Sequence, residues 1–353
     1  MTVDFELTLD PRKQQILKAV VSDYTETGVP VGSVALAVRH LGSWSSATIR
    51  NELSTLVEIG YLLQPHASAG RIPSDRGYRY YVDFLMEEEQ VSPAVRRQVD
   101  PVFPTRPAAV EELLEAAAMV LALVTDAVSV VTGPRALGSR LKHLDVVSLD
   151  PHHALLVVLL EGNLLQQQVF PLSVPAEQET LSRIAAELNA VLRGLDPDAI
   201  EAVPRRDAGD AIAALRADTI AQVLLVMRSD GAGEDTVVIH DGVRNLLRQP
   251  EFGDVVRLRQ VLDIVEEERA LGQLLASLDL AKSVQGVHVV IGAENEVEQL
   301  RGCSLVLTTY RAGDAARGTI GVLGPTRMRY SQVSPRVRYV SQRVGQALER
   351  LLG

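Results

Sequence analysis

The stretch "SPAVRRQVDPVFPTRP" (residues 92–107) carries prolines at 101, 104 and 107. Each proline fixes φ and removes a backbone donor, so neither a helix nor a central strand can run through them. The spacing predicts a stiff, extended linker and divides a 353-residue chain, long enough for two or three domains, into unequal parts. Residues 1–90 are expected to form one domain with its following helix, and 91–108 the linker.

Before the linker, apolar residues recur at helical spacing. In "DPRKQQILKAVVSDYTETG" (10–28), Asp10 is placed to cap, Pro11 to open and Gly28 to end a helix, with Ile16, Leu17, Val20, Val21 and Tyr24 on one face. "PVGS" (30–33) offers Ser33 as the next cap, "VALAVRH" a second short helix and "LGSW" a turn. Ser45 or Ser46 then caps a third helix reaching about Ile59. "YLLQP" reads as a strand, and "HASAGRIPS" as a hairpin tip with a returning strand. Helix, helix–turn–helix, strand, tip, strand is the winged-helix arrangement. A further helix is expected over 74–90, capped by Ser74 and rich in aromatics (Tyr78, Tyr80, Tyr81, Phe84) that suit packing better than stacking on bases.

The third helix, within "SSATIRNELSTLVEIGYL" (45–62), has two unlike faces. At about 100° per residue, Ile49, Leu53, Leu56 and Val57 fall in an arc of about 100°, with Asn51 and Glu58 nearly opposite. The far side holds Thr48, Arg50, Asn51, Ser54 and Thr55 instead of an ordinary Glu/Lys surface. The N-terminal part of such a helix enters the major groove. Arginine suits guanine, asparagine suits adenine, and the Thr48 methyl suits thymine. Thr48, Arg50 and Asn51 are therefore the candidate base readers. Ser45, Ser46, Arg71 and Arg76 are candidates for positioning the phosphate backbone, with Arg71 expected on the hairpin tip. Ser33, His66 and Ser68 complete the candidate DNA-contacting set. Arg76 and Arg79 open the next helix. A short helix solvated on one face is the plain alternative, and the arginine-bearing tip argues against it.

After the linker, a long apolar helix is expected over 110–132. Strand-like runs follow at 144–150, 153–160 and 164–172, helix-periodic segments fill 178–275 around a short "TVVIH" strand, and strands return at 286–292, 303–310 and 318–325 before a helix from about Pro335 to Leu352. Strands, a helical block, then strands indicate an α+β domain interrupted by an insertion. The helices of 178–275 have apolar faces that suit an internal core or a dimer core equally well.

Net charge is −10, but residues 39–79 carry +2, leaving −12 elsewhere: a mildly basic patch on an acidic body. Cys303 is the single cysteine, which excludes an intrachain disulfide or a multi-cysteine zinc site. It lies in an apolar strand pattern and reads as a buried small hydrophobe. The N-terminus lacks a signal-peptide pattern and no apolar run approaches the ~18 residues of a membrane span, so a cytoplasmic protein without membrane contact is expected. Nucleotide-binding, hydrolase and metalloprotease signatures are absent, and no enzyme, cofactor or metal is expected. His152–His153 suits a turn or strand edge, and "DGAGED" (230–235) a turn lacking the calcium-loop spacing.

"PVGS" (30–33), "SSATIRNEL" (45–53), "GYL" (60–62), "QPHASAGRIPSDRGYRYYVD" (64–83), "GVRNLLRQPEF" (242–252) and "GTIGVLGPTRMRYSQV" (318–333) closely resemble the HrcA-type heat-inducible transcription repressors, in order along nearly the whole chain. The resemblance implies a multidomain α+β protein: an N-terminal winged helix-turn-helix, a GAF-like α/β domain (here 109–177 and 266–353) and a mostly helical dimerising domain inserted at 178–265. It also implies a homodimer that binds an inverted repeat, the CIRCE element, ahead of chaperone operons, with activity modulated by the GroEL chaperonin. A metabolite-responsive repressor sensing a ligand in its GAF-like domain is the alternative. Val57 and Arg329 stand where the resemblance leads one to expect acidic residues.

Overall fold

The computed structural model describes residues 9–103, 109–136, 140–161, 165–203, 211–228, 237–278, 286–313 and 316–352. The "DGAGED" segment lies outside them. The protein is a multidomain mixed α/β structure.

Helix α1 (Pro11–Thr27) begins where its sequence places it. The Asp10 carboxylate accepts from the Lys13 N–H at 3.0 Å, Pro11 takes the first position, and Gly28 closes the helix at φ 66°. Helix α2 (Ser33–Arg39) is capped by Gly32, which provides no side-chain cap bond; the expected cap, Ser33, lies inside the first turn and is buried. Helix α3 (Ser46–Glu58) is capped by Ser45. Strands β1 (Leu62–Leu63) and β2 (Ile72–Pro73) pair antiparallel, Leu62 opposite Pro73. Ile16, Leu17, Val20, Leu36, Ile49, Leu53, Leu56, Tyr61 and Leu62 form a shared core, and Val57 packs half-buried against it.

Helix α4 (Asp75–Tyr80), capped by Ser74, continues into a π-helical turn, Tyr81–Leu85, and stops there, short of the expected 90. Tyr78, Tyr80 and Tyr81 are buried and Phe84 is exposed. The supposed linker is helical in part: α5 (Pro93–Val99) starts from the Ser92 cap with Pro93 at its first position, where a missing N–H does no harm. At Asp100, just before Pro101, regular helix gives way to a single 3₁₀ turn.

Helix α6 (Val110–Thr125) is shorter than expected, because Asp126 adopts φ 53° and the β-branched run after it becomes strand β3 (Val128–Thr132). Then follow β4 (Arg135–Ala136), β5 (Leu141–Asp150), β6 (His153–Leu160), β7 (Leu165–Pro171), α7 (Gln178–Leu192), α8 (Pro197–Glu201), α9 (Ala211–Arg228) and β8 (Val238–Asp241). The C-terminal part adds α10 (Val243–Leu246), α11 (Val255–Glu266), α12 (Glu268–Ser277), β9 (His288–Ile291), β10 (Cys303–Ala312), β11 (Ala316–Pro325) and α13 (Tyr330–Leu352).

One antiparallel sheet has the order β8–β3–β11–β10–β9, with β4 also on β11. Its strands alternate between two cores. Val131, Val306, Tyr310, Ile320 and Val322 share one with α6 and α13 residues such as Leu121, Val337 and Val344; Val130, Leu305, Leu307 and Leu323 share the other with α11 and α12 residues such as Val261, Val265 and Leu274. The sheet is thus the middle of three layers.

Strands β5, β6 and β7 form a separate antiparallel sheet. Its inner face (Leu144, Val146, Ala154, Leu156, Val158, Phe170) is covered by α7 and α9. The strands at 144–172, expected to continue the central sheet, hydrogen-bond to one another and pack against the helices at 178–228, while β8 at 238–241 rejoins the central sheet beside β3. Apolar strand runs look alike in sequence whichever sheet takes them, so periodicity does not distinguish the two memberships.

Pro335 lies inside α13, which starts five residues earlier than its sequence reading. Without an N–H at 335, the Ser331 carbonyl one turn back has no helical donor. It accepts instead from the Glu89 N–H at 2.9 Å, which seats the segment after the π-helical turn on α13.

Candidate nucleic-acid interface

The apolar stripe of α3 determines which side is left outside. Ile49, Leu53 and Leu56 are at most 3% exposed, so Arg50 and Asn51 stand in solvent, and neither side chain hydrogen-bonds a described residue. At the head of the helix, the Ser45 Oγ accepts from the Thr48 N–H at 3.1 Å and lies 2.9 Å from the Thr48 hydroxyl. Ser45 is exposed while Ser46 and Thr48 are half-exposed. Helix N–H groups, a serine cap and an exposed Arg–Asn pair thus share one end of one helix, an arrangement suited to an anionic backbone with base edges beyond it. Farther along, the Ser54 and Thr55 hydroxyls donate back to the carbonyls of Arg50 and Asn51 at 3.1 and 3.2 Å.

Glu52, next to this face, is neutralised from behind. Lys13 reaches it at 3.2 Å and Arg12 at 3.6 Å, both from α1. Hydrogen bonds to Asp10 and then Glu52 hold the Lys13 ammonium above its ordinary pKa. The Arg12 guanidinium also lies 5.5 Å from the Trp44 ring centre. Asp23, buried on α1, accepts from His40 at 2.7 Å and Arg39 at 3.2 Å, which ties the end of α2 to α1.

The loop between β1 and β2 presents His66 and Ser68 to solvent. Its shape is held by Gln64, whose amide donates to the Ala67 carbonyl at 2.8 Å. Arg71 is not at the tip. Its backbone pairs with Val31 where the loop rejoins β2, and its half-buried guanidinium donates to the Ala69 carbonyl at 3.1 Å. The hairpin returns this close because Gly70 has no Cβ: one there would lie 2.6 Å from the Pro30 carbonyl.

Arg76 is at the opposite end of α3 from the candidate readers. Its Nη1 donates to the Ile59 carbonyl at 3.1 Å and its guanidinium lies 4.6 Å from the Tyr61 ring centre. It therefore closes the carbonyl end of α3. Arg79 points away from the hairpin to Glu294 and Asp83. The structure thus brings Ser45, Ser46, Thr48, Arg50 and Asn51 to one end of one helix, with His66 and Ser68 on the separate loop; Ser33 is buried, and Arg71 and Arg76 have intramolecular partners. Gln64, Asp23 and Glu52 escaped the sequence reading because their partners are distant or ordinary in type. The one available signal was Glu52, an acid beside the uncharged and basic residues of the N-terminal half of α3.

Elsewhere, His152 and His153 sit at the β5–β6 turn, where Asp150 accepts from both backbone N–H groups. Among the described residues there is no group of three or more His, Cys, Asp or Glu able to hold a metal, and no helix long and apolar enough to cross a membrane.

The family model described as HrcA protein C terminal domain matches residues 111–333. The heat-inducible transcription repressor HrcA of Desulforamulus reducens is 37% identical, covering 98% of this chain and 99% of that protein. The same repressor of Pelotomaculum thermopropionicum is 37% identical with 98% and 99% covered, and that of Roseiflexus castenholzii 36% with 100% and 97%. A crystal structure at 2.2 Å resolution of a protein described only as hypothetical shares the fold, with TM-score 0.58 at 23% identity over 97% of this chain and 99% of the other. These matches put the chain in the class of transcription regulators, which is not an enzyme class. It belongs to the HrcA family of heat-inducible transcription repressors.

Proposed function

We propose that the chain represses transcription as a homodimer that places two α3 helices in successive major grooves of an inverted repeat. The observation that supports this best is the solvent-facing Thr48–Arg50–Asn51 end of α3, set by a fully buried stripe on its other side. On this reading residues 9–85 are a winged helix-turn-helix with the β1–β2 hairpin as its wing. Arg50 and Asn51 read base edges; Ser45, Ser46 and the helix N–H groups meet phosphate; His66 and Ser68 on the wing meet the neighbouring backbone. Arg76 serves by holding the far end of α3.

The three-layer body is the GAF-like domain, and the dimerising insertion runs from β5 to α9, about 141–228, in place of 178–265. Its helices are not the natural dimer surface, because Leu181, Ile184, Leu188 and Leu192 of α7 are buried within their own unit. The outer face of its sheet carries uncovered apolar side chains: Val147, Leu155 and Val169 lie side by side across three strands, and Leu159 lies beside Leu165 on two. Val147, Leu149, Leu165 and Val169 are 39–62% exposed. A second copy packed face to face would remove that surface from water. By family resemblance the operator is CIRCE-like, the controlled genes encode chaperones, and GroEL chaperonin keeps the repressor competent.

Selection of bound DNA from a random library tests the reading. An inverted repeat among the winners is expected; recovery of single, unpaired sites or of no consensus overturns it.

A further inference from the structure

We propose that Arg79, Asp75 and Gly292 form a latch that fixes the orientation of α3 on the protein body, so that paired half-sites are accepted at one spacing only. This rests on the operator-binding reading above and goes beyond it by naming the residues that set the geometry.

Arg79 leaves α4 and enters the C-terminal part of the molecule. Its Nε donates to Glu294 Oε1 at 2.8 Å, its Nη1 to Asp83 Oδ1 at 3.3 Å, and its Nη2 to the Val289 carbonyl at 2.5 Å and to Glu294 Oε2. Val289 belongs to β9, the edge strand of the central sheet, so Arg79 takes up a strand carbonyl from the sheet's open side. Glu294 is itself anchored, accepting from the Ile291 N–H at 2.8 Å. A planar guanidinium held by two carboxylates and a carbonyl defines direction as well as distance.

A second contact lies beside it. Asp75 Oδ2 accepts from the Ala293 N–H at 2.8 Å. The approach requires glycine at 292, which has φ 53° and where a Cβ would stand 2.2 Å from that oxygen. Between the two, Arg76 donates to the last turn of α3. The carbonyl end of α3 is therefore tied to α4, and α4 to β9. The readers stay clear: Arg50 and Asn51 remain exposed at the other end of the helix. The contact therefore positions the DNA-reading face without covering it.

Inserting one base pair between half-sites moves them apart by about 3.4 Å and rotates them by about 35°. The test measures affinity of the full chain for the selected repeat with its spacer lengthened or shortened by one or two base pairs, and for a single half-site. The unaltered protein should lose about tenfold or more on each change of spacing. Arg79→Gln and, independently from the other side, Gly292→Ala should lose less than about threefold, with single half-site affinity within about twofold of the unaltered protein. Variants as selective for spacing as the unaltered protein overturn the latch, as does tighter binding by the variants, which would make the contact inhibitory. Selection from a library with a randomised spacer needs no variant: acceptance of several spacings by the unaltered protein overturns the latch alone. Failure to bind paired half-sites at any spacing overturns the operator reading, and the latch with it.

Discussion

Replacing Gly77 by alanine sets two ordinary effects against each other at one position. Alanine is the better helix former by about 1 kcal/mol, so on a solvent face of α4 the exchange would stabilise. Gly77, however, is buried against the chain that leaves α3. A Cβ there would lie 2.1 Å from the Tyr61 carbonyl oxygen and 3.2 Å from its carbon. Even close carbon–oxygen contacts are about 3.3–3.6 Å, so more than about 1 Å must be found. The obstacle is backbone and is pinned on both sides: the Tyr61 N–H donates to the Leu56 carbonyl at 2.9 Å, and its own carbonyl accepts from the Ser74 N–H at 3.1 Å. Overpacking costs about 1–3 kcal/mol, and an immovable neighbour puts this case at the upper end. Subtracting the propensity gain leaves a loss of about 2 kcal/mol. Trp44 is the only tryptophan and lies in the turn before α3, so its fluorescence reports the unit concerned. With a urea slope of about 1–3 kcal/mol/M, the midpoint seen by Trp44 should fall by about 1 M. A midpoint unchanged or raised for Gly77→Ala would show that the two segments are not in close contact and would refute the reasoning.

Asn51→Ala should lose about 1–3 kcal/mol of discrimination at one base position, whereas equal weakening on all sequences would remove Asn51 from the readers. Arg71→Ala should leave the salt slope of DNA binding unchanged, because its guanidinium is turned to the Ala69 carbonyl; a slope lowered by about one would give Arg71 a phosphate contact. Leu155→Asp, in the middle of the uncovered sheet face, should yield monomers in light scattering, and a persisting dimer would move the interface elsewhere. Burial pushes the Cys303 thiol up from 9.0 to about 12, against a smaller opposing effect of Arg257. The unfolded chain then holds fewer protons than the folded one above pH 9, so stability should fall as pH rises from 9 towards 12 and be unaffected by this group below that range. At pH 8 a thiol reagent should label Cys303 no faster than the protein unfolds; fast labelling of the native state would contradict its burial.

Much of the N-terminal unit was legible from local rules. Asp10, Ser45 and Ser74 cap the helices they precede, and Gly28 ends the first, because capping depends only on residues within one turn. The burial of Ile49, Leu53 and Leu56 followed from their spacing, and with it the exposure of Arg50 and Asn51. Local rules put Arg76 at the start of the helix after the hairpin, where it stands, but could not show that Arg71 and Arg76 turn to backbone carbonyls created by the hairpin and by the end of α3. A charge on a glycine-containing stretch looks free until its surroundings are folded around it.

The division between the two kinds of information is sharpest after residue 109. Composition and periodicity by themselves determined that strands precede and follow a helical block, and that a proline-marked segment separates this part from α3. Only the tertiary structure decided that β5–β7 make their own sheet while β8 returns to the central one, that α7 turns its apolar side inward, and that the β5–β7 sheet keeps apolar side chains outside. Alternation along a strand states that one side is apolar, but which sheet a strand joins depends on hydrogen bonds to residues tens to hundreds of positions away. The same holds for Arg79 and Glu294, 215 residues apart, whose contact exists only once two separately encoded units have met.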